Sequence, residues 1–478
     1  MREQARLGAK IRALRRGRDM TQAGLAVRLG ISASYLNLIE HDRRALTAPL
    51  LIKLAQVLEI DLKTFAPDSD ERTIADLMEV FGDAIFDGHS LSTTDVREFC
   101  LQAPGVSRAV LALYEGYREV QDTSRELSMR MSEQSDHAGL ESWRLPSEEV
   151  TELLQRNRNY IGVLETAAEE LWEEASLQAG DLWGGLSRFL RQKHGVDVRL
   201  VEADASSPHV RHYDPHRRLL VISEVLPPPS RVFQLAHQVA LLTRGEVLDK
   251  VVDDPTLTTE DSTALGRVVA ANYFAGAVMM PYERFREDSE RQRYDAEMLG
   301  LRFRASFEQV CHRLTTLGRP GHEGIPFHFV RLDLAGNISK RYSGSGMSLA
   351  RFSGLCPRWN VHAAFQNPGA VRVQVSQTPD KENWFSFART VNPAPGGFRT
   401  ARAALAVALG CKVEYASKMV YSDGLDLKDP NAAVDIGVSC RMCERTNCKQ
   451  RAFPQLQKPL SIDVNVRGLS FFSTRSSD

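Results

Sequence analysis

The sequence predicts a multidomain chain, mainly α in its N-terminal half and α+β in its C-terminal half. Three observations carry that expectation. Through residues 7–180, apolar residues recur three and four apart, as in Leu7, Ile11 and Leu14, which is the period of one helix face. At "GVDVRLVEA" and "RRLLVISEVLP" the pattern becomes alternation of apolar and polar residues, the period of a strand. Beyond residue 294 a helical run, "RYDAEMLGLRFRASFEQVCHRLTTL", is followed by short segments such as "WFSFARTV". A chain of 478 residues suits two to four domains at roughly 100–200 residues each. The expected boundaries are 1–66, 67–180, 181–293 and 294–478.

Composition narrows the function class. Charged residues are 25% and hydrophobic ones 43%, as in ordinary globular proteins. No apolar run reaches the roughly 18 residues needed to span a bilayer, and "MREQARLGAK" lacks the apolar core of a secretory signal. A cytoplasmic protein without a membrane partner is expected. Seven cysteines in a chain this long do not make a disulfide scaffold, so any tight cluster reads as metal ligation. Net charge is −1, yet Arg2, Arg6, Lys10, Arg12, Arg15, Arg16 and Arg18 face one acid, Glu3. A local positive face on a neutral chain suits a nucleic-acid-binding module.

Each element of that module follows from its residues. Thr21 can cap a helix carrying Leu25, Ala26 and Leu29; Gly30 turns the chain; Ser32 caps a second helix with Tyr35, Leu36 and Ile39 inward. Helix, glycine turn and helix make a helix-turn-helix, whose second helix enters the major groove. Ser32, Ala33, Ser34 and Asn37 face outward and are short enough to reach base edges. Gln22 can reach a phosphate or brace the contact, and Arg43 and Arg44 are placed for the backbone. "LTAPLLIKLAQVLEIDLKTF" supplies two closing helices, completing a five-helix bundle. Residues 7–65 resemble the phage-repressor-type DNA-binding domain, and that resemblance implies operator double-stranded DNA as partner. Helical, charged residues 67–180 would serve as linker and dimerisation region, or pack within the chain. A homodimer or higher even oligomer would match a palindromic operator.

The helix "FQLAHQVALLT" carries His237 where a zinc peptidase would carry H-E-x-x-H. Gln238 stands at the glutamate position and Leu241 at the second histidine. With the two strands before it and "AANYFAGAVMMP" after it, the order resembles the zinc peptidase-like domains of phage anti-repressors and radiation-response regulators. In those domains the third ligand is a glutamate two residues before the asparagine, and here that residue is Ala270. Hydrolytic zinc needs three protein ligands and a carboxylate base. One imidazole with an amide beside it supplies neither, so no catalytic residue is expected. His237 reads instead as a hydrogen-bonded core histidine or part of a pocket wall.

"HRLTTLGRPG", "AGNISKR", "CPRWNVHAAF" and "CRMCERTNCKQRAFP" resemble the C-terminal domain of the short-chain fatty acyl-CoA-responsive regulators, which include propionate and methylcitrate regulators. The resemblance covers essentially the whole chain. It implies a transcriptional regulator rather than an enzyme, with an α+β sensor half and a short-chain acyl-CoA, propionyl-CoA first, as effector. Cys440, Cys443 and Cys448 form C-x2-C-x4-C, a thiolate set for zinc or an iron–sulfur cluster. The fourth ligand would be Cys411, with Cys356 or a histidine as alternatives. Resemblance to propionate regulators implies a four-iron cluster, with structural zinc as the alternative. Cys100 and Cys311 sit in apolar helical contexts and read as core.

Coenzyme A phosphates need fixed cations and backbone N–H groups. Lys340, Arg341, Ser343, Gly344, Ser345 and Gly346 in "GNISKRYSGSG" are the candidates, expected in a turn, although such a turn also suits a solvated hairpin. Phe327, Phe329, Trp359 and Phe365 would line an acyl or adenine pocket, or belong to the core. No nucleophile–base pair or Walker-type loop suggests turnover of a thioester. Two other readings remain open: an iron–sulfur redox or iron sensor acting on DNA, and a metal-dependent peptidase acting on a partner repressor.

Overall fold

The computed structural model describes residues 8–58 apart from 17, 19, 42 and 45; 68–86; 91–131; 146–202; 209–350; 354–391; 404–440 apart from 428 and 430; and 443–453 apart from 446 and 447. They fall into two compact units. The first comprises Met1–Trp143, Ala350–Ser353 and Ser439–Asp478, the second Arg144–Leu349 and Gly354–Val438.

In the first unit, α1 (Gly8–Arg16), α2 (Gln22–Leu29), α3 (Ala33–Glu40) and α4 (Ala48–Val57) enclose Ile11, Leu25, Leu29, Leu36, Ile39, Leu54 and Leu58. Local chemistry sets where these helices start and stop. Thr21 Oγ1 accepts the Gly24 N–H at 3.0 Å, and Ser32 Oγ accepts the Tyr35 N–H at 3.1 Å, each satisfying an otherwise orphaned donor. Between them Gly30 ends α2 at φ +70°, a conformation that favours glycine. The second closing helix expected near residue 65 lies outside the described residues, so four helices of the expected five are described. One expectation is revised: Arg15 does not belong to the outer basic face. Its Nε and Nη2 donate to Glu40 at 2.7 and 3.0 Å, both side chains being buried.

A second core in this unit joins α5 (Asp68–Val80), α6 (Thr93–Gln102) and α7 (Pro104–Met131) through Ile74, Leu77, Val96, Cys100, Leu111 and Tyr114. The stretch expected as one linker therefore divides. Its first three helices belong to this unit, residues 132–145 lie outside the described residues, and the remainder belongs to the second unit.

The second unit begins with α8 (Pro146–Arg156), α9 (Gly162–Glu174) and α10 (Leu182–His194), then β1 (Asp197–Val201), β2 (Arg211–Asp214) and β3 (Leu219–Ser223). These strands form a small sheet in the order β1-β3-β2, with β1 parallel and β2 antiparallel to β3. Helices α11 (Pro228–Thr243), α12 (Gly245–Val252), α13 (Glu260–Met279), α14 (Tyr282–Arg291), α15 (Ala296–Phe303) and α16 (Phe307–Leu314) follow. The expected helical run after residue 294 is interrupted where Ser306 caps α16 by accepting from Gln309 N at 3.2 Å.

Next come β4 (His328–Asp333), β5 (Ile338–Ser343), the short α17 (Asn360–Ala363), β6 (Arg372–Gln377), β7 (Asn383–Val391), β8 (Leu405–Lys412) and β9 (Val434–Asp435). They form a sheet in the order β5-β4-β8-β7-β6-β9. All its pairings are antiparallel except β6 with β9. One continuous core runs from Ile161 through Phe274, Phe327 and Phe385 to Met419, so the helices of the smaller sheet and the six-stranded sheet share a single apolar interior. Among the described residues, no helix is long and apolar enough to cross a membrane.

Candidate functional site

The outer face of α3 keeps its polar residues available. Ser32, Ala33, Ser34 and Asn37 are exposed, as are Arg43 and Arg44 just beyond the helix. Gln22, at the start of α2, donates from Nε2 to Asn37 Oδ1 at 3.4 Å and to Glu40 Oε2 at 3.0 Å. It thereby holds the Asn37 amide in place, the bracing role open to it from sequence. Among the described residues Asn37 Nδ2 has no partner, so the amide keeps an open donor beside its acceptor. Arg44 lies over the Tyr35 ring, 5.7 Å from its centroid, and the Arg43 and Arg44 N–H groups donate to the Leu38 carbonyl at 2.8 and 3.2 Å. Both residues are thus tethered at their backbones just beyond α3.

The peptidase-like region is arranged differently. His237 on α11 is 3% exposed, Gln238 is 7%, and Ala270 on α13 is 1%. Arg211 on β2 donates from Nη1 to His237 Nδ1. A guanidinium can only donate, so Nδ1 is the acceptor and the ring proton is on Nε2. Burial and the facing Arg211 charge push the imidazole down to about 4. His237 is a neutral, hydrogen-bonded interior histidine, with the Arg211 guanidinium on its Nδ1.

The basic segment of the C-terminal region is not a turn. Lys340, Arg341 and Ser343 lie on β5, paired with β4; the turn precedes them at Asp333–Asn337, where Gly336 takes φ +86°. The period-two pairing with β4 overrides the local preference of Gly, Asn and Ser for a turn. Its cations have partners. Arg341 Nη2 donates to Glu148 on α8 at 2.8 Å, and Lys340 Nζ to Glu308 on α16 at 3.3 Å, a carboxylate shared with Arg331 at 2.7 Å. Ser343 Oγ donates to the Met347 carbonyl at 2.7 Å.

Phe327, Phe329 and Trp359 are 1%, 2% and 4% exposed, packed edge to face on Tyr294, edge to face on His312, and tilted against His328 respectively. Trp359 also donates to the Gly437 carbonyl at 3.0 Å, and Phe365 is half-buried. The aromatic residues are thus placed as core beneath β4 and β5. Burial pushes His312 and His328 down to about 4 and about 3.

Cysteines Cys440, Cys443 and Cys448 belong to the first unit, and Cys411 and Cys356 to the second. Among the described residues none of them is joined in a disulfide. The loop that carries the triad is organised around Arg451, which donates to the carbonyls of Cys440 at 2.7 Å, Cys443 at 2.8 Å and Arg445. Among the described residues no three His, Cys, Asp or Glu side chains converge as a metal site. Cys411 is fully buried on β8, and its surroundings hold the thiol well above its ordinary range; such a group resists becoming the thiolate a metal needs. Cys100 and Cys311 are core residues, 5% and 0% exposed.

Sequence reasoning missed two charged sites. One is the fully buried pair of Arg313 and Glu165, joined at 2.6 and 2.8 Å and completed by Tyr273 Oη donating to Glu165 at 2.6 Å. The other is Arg211. Glu165 sits in a run of ordinary helix acids and Arg211 in a polar strand, so neither stood out from its neighbours.

Comparison with known proteins gives a consistent outcome along the chain. A helix-turn-helix model matches residues 11–65, an IrrE N-terminal-like domain model residues 191–315, and a model described as short-chain fatty acyl coenzyme A regulator, C-terminal, residues 316–472. The HTH-type transcriptional regulator RamB of Mycobacterium tuberculosis is 41% identical over 460 residues, 96% of each chain. The HTH-type transcriptional regulator PrpR of the same organism is 38% identical, covering 98% of this chain and 96% of that one. A propionyl-CoA carboxylase regulator of Cereibacter sphaeroides is 37% identical over 97% of each. Among solved structures, a Mycobacterium tuberculosis transcriptional regulator superposes with TM-score 0.65 at 40% identity, over 69% of this chain and all of that one.

Proposed function

This chain belongs to the short-chain fatty acyl-CoA regulator family, and from that premise we propose that it senses a short-chain acyl-CoA, propionyl-CoA first, and adjusts its hold on operator DNA as a cytoplasmic homodimer. It is a DNA-binding transcriptional regulator of short-chain acyl metabolism and not an enzyme. The observation that carries the sensing proposal is that the family's C-terminal region and an intact reading helix, α3, lie on one chain aligned almost end to end with such regulators. The relative named as a propionyl-CoA carboxylase regulator supports propionyl-CoA as first choice.

Arg341 and Lys340 are the proposed phosphate ligands. A phosphate arriving at Arg341 competes with the Glu148 carboxylate, and Glu148 lies on α8, the first helix of the second unit. Exchange of that partner would loosen α8 from β5, where Gln155 on α8 also holds Ser343. The ligand shifts the dimer only as far as it binds one arrangement better than the other. Calorimetry of the whole protein with acetyl-, propionyl- and butyryl-CoA and free coenzyme A tests the reading. Propionyl-CoA should bind tightest, Arg341→Gln should weaken it at least tenfold, and Glu148→Gln should strengthen it. Equal or absent binding across the series would sink the claim of a specific acyl ligand.

The Cys440, Cys443 and Cys448 triad supports a second reading, an iron–sulfur input with structural zinc as the alternative and Cys411 or Cys356 as fourth ligand. It requires the loop around Arg451 to rearrange on the metal. Iron, sulfide and zinc content of anaerobically purified protein decides it, and a metal-free protein that still binds operator DNA would remove it.

A further inference from the structure

Arg211 is unusual among the inward-facing arginines of the second unit. Arg313 faces Glu165, Arg319 faces Glu169 and Glu283, Arg331 faces Glu308, and Arg341 faces Glu148. Among the described residues, Arg211 faces no carboxylate. Its protein partners are His237 Nδ1 and, at 3.4 Å, the Gln234 carbonyl, both taken by Nη1. Burial lowers its proton affinity and no acidic neighbour offsets that. A guanidinium half-withdrawn from water without an anion is an unfavourable arrangement. The carboxylates that this architecture would carry are missing: Gln238 and Ala270 stand in their places. Nε and Nη2 remain, two parallel donors with no acceptor among the described residues, on a strand that among those residues pairs only with β3.

We propose that Arg211, held by His237, binds a carboxylate through Nε and Nη2, so that the edge of β2 beside α11 is an anion-binding site. Fork geometry matches a carboxylate bidentately. One cation beside a neutral imidazole balances a monoanion and leaves a phosphate dianion under-compensated. The carboxylate can come from a small organic acid or from the C-terminus of an extended peptide lying along the free edge of β2. This site is separate from Lys340 and Arg341 and stands whether or not those residues hold coenzyme A.

The test uses the whole protein and isothermal titration at constant ionic strength. The probes are propionate, succinate, a pentapeptide with a free C-terminus, the same peptide as its C-terminal amide, inorganic phosphate and chloride. At least one free carboxylate should bind. Propionate or succinate binding assigns a metabolite source; binding of the free peptide but not its amide assigns a peptide source. Arg211→Met should weaken that binding at least tenfold, and Arg211→Lys, which keeps the charge but loses the fork, severalfold. Far-UV dichroism of both variants identifies any folding defect, and the lysine variant then carries the test alone. Absence of binding by every carboxylate, equal binding of chloride or phosphate, or unchanged affinity in a folded Arg211 variant would overturn the proposal.

Discussion

Helices α3 and α11 both carry polar residues that a reader of sequence would single out, and the structure treats them in opposite ways. On α3 the polar residues face solvent, braced by Gln22, while the ion pair of Arg15 with Glu40 is tucked behind. On α11 His237 and Gln238 are inside, and the imidazole takes the Arg211 guanidinium on Nδ1. The polar side chains of α3 stay exposed and pre-oriented, whereas those of α11 are absorbed into the interior. The contrast separates retained function from retained fold using only burial and hydrogen bonding.

The largest effect that would sharpen this contrast is acid. His237, His312 and His328 are held neutral by burial, near 4, 4 and 3, and unfolding returns each to its ordinary proton affinity. Their contribution is full above about pH 6.5 and is lost as pH falls toward 4, about 2–3 kcal/mol for each. Urea midpoints followed by tryptophan fluorescence should drop steeply over that window, and a flat profile would mean that the histidines are not interior. Next is Glu165→Ala, which strands the Arg313 guanidinium inside the core and should cost about 3–5 kcal/mol. The double replacement Glu165→Leu with Arg313→Met should recover much of that loss in the same assay.

Changes to α3 should leave stability alone and act on DNA. Asn37→Ala should cost about 1–3 kcal/mol of operator affinity and relax preference at one base position, measured by fluorescence anisotropy on operator and point-mutated duplexes. Arg43→Ala should weaken all duplexes alike and reduce the slope of log affinity against log salt by about 1. The smallest effect should be in zinc binding, where His237→Ala leaves the zinc content of the second unit unchanged; a loss of bound zinc would reverse the contrast between the two helices.

Much of the first unit was legible because helix caps and turns are local. Thr21, Gly30 and Ser32 do what their positions predicted, since each hydrogen bond or dihedral involves residues within a few positions. The six-stranded sheet was only coarsely legible. "GNISKRYSGSG" has turn composition, and its place on β5 is set by pairing with β4, then by β4 pairing with β8 more than sixty residues later.

The sequence by itself determined that the peptidase chemistry is gone, because a ligand or base absent from the residue list cannot be supplied by folding. It also determined the reading helix, whose apolar spacing and caps are written within twenty residues. Only the tertiary structure decided which charges are spent. Arg15, Lys340 and Arg341 look alike in sequence to Arg43, yet Glu40, Glu308 and Glu148 neutralise the first three, while Arg211, unremarked in sequence, meets no carboxylate among the described residues. Partners separated by up to 193 residues meet through packing, and periodicity encodes only which face turns inward, not which opposite charge waits there.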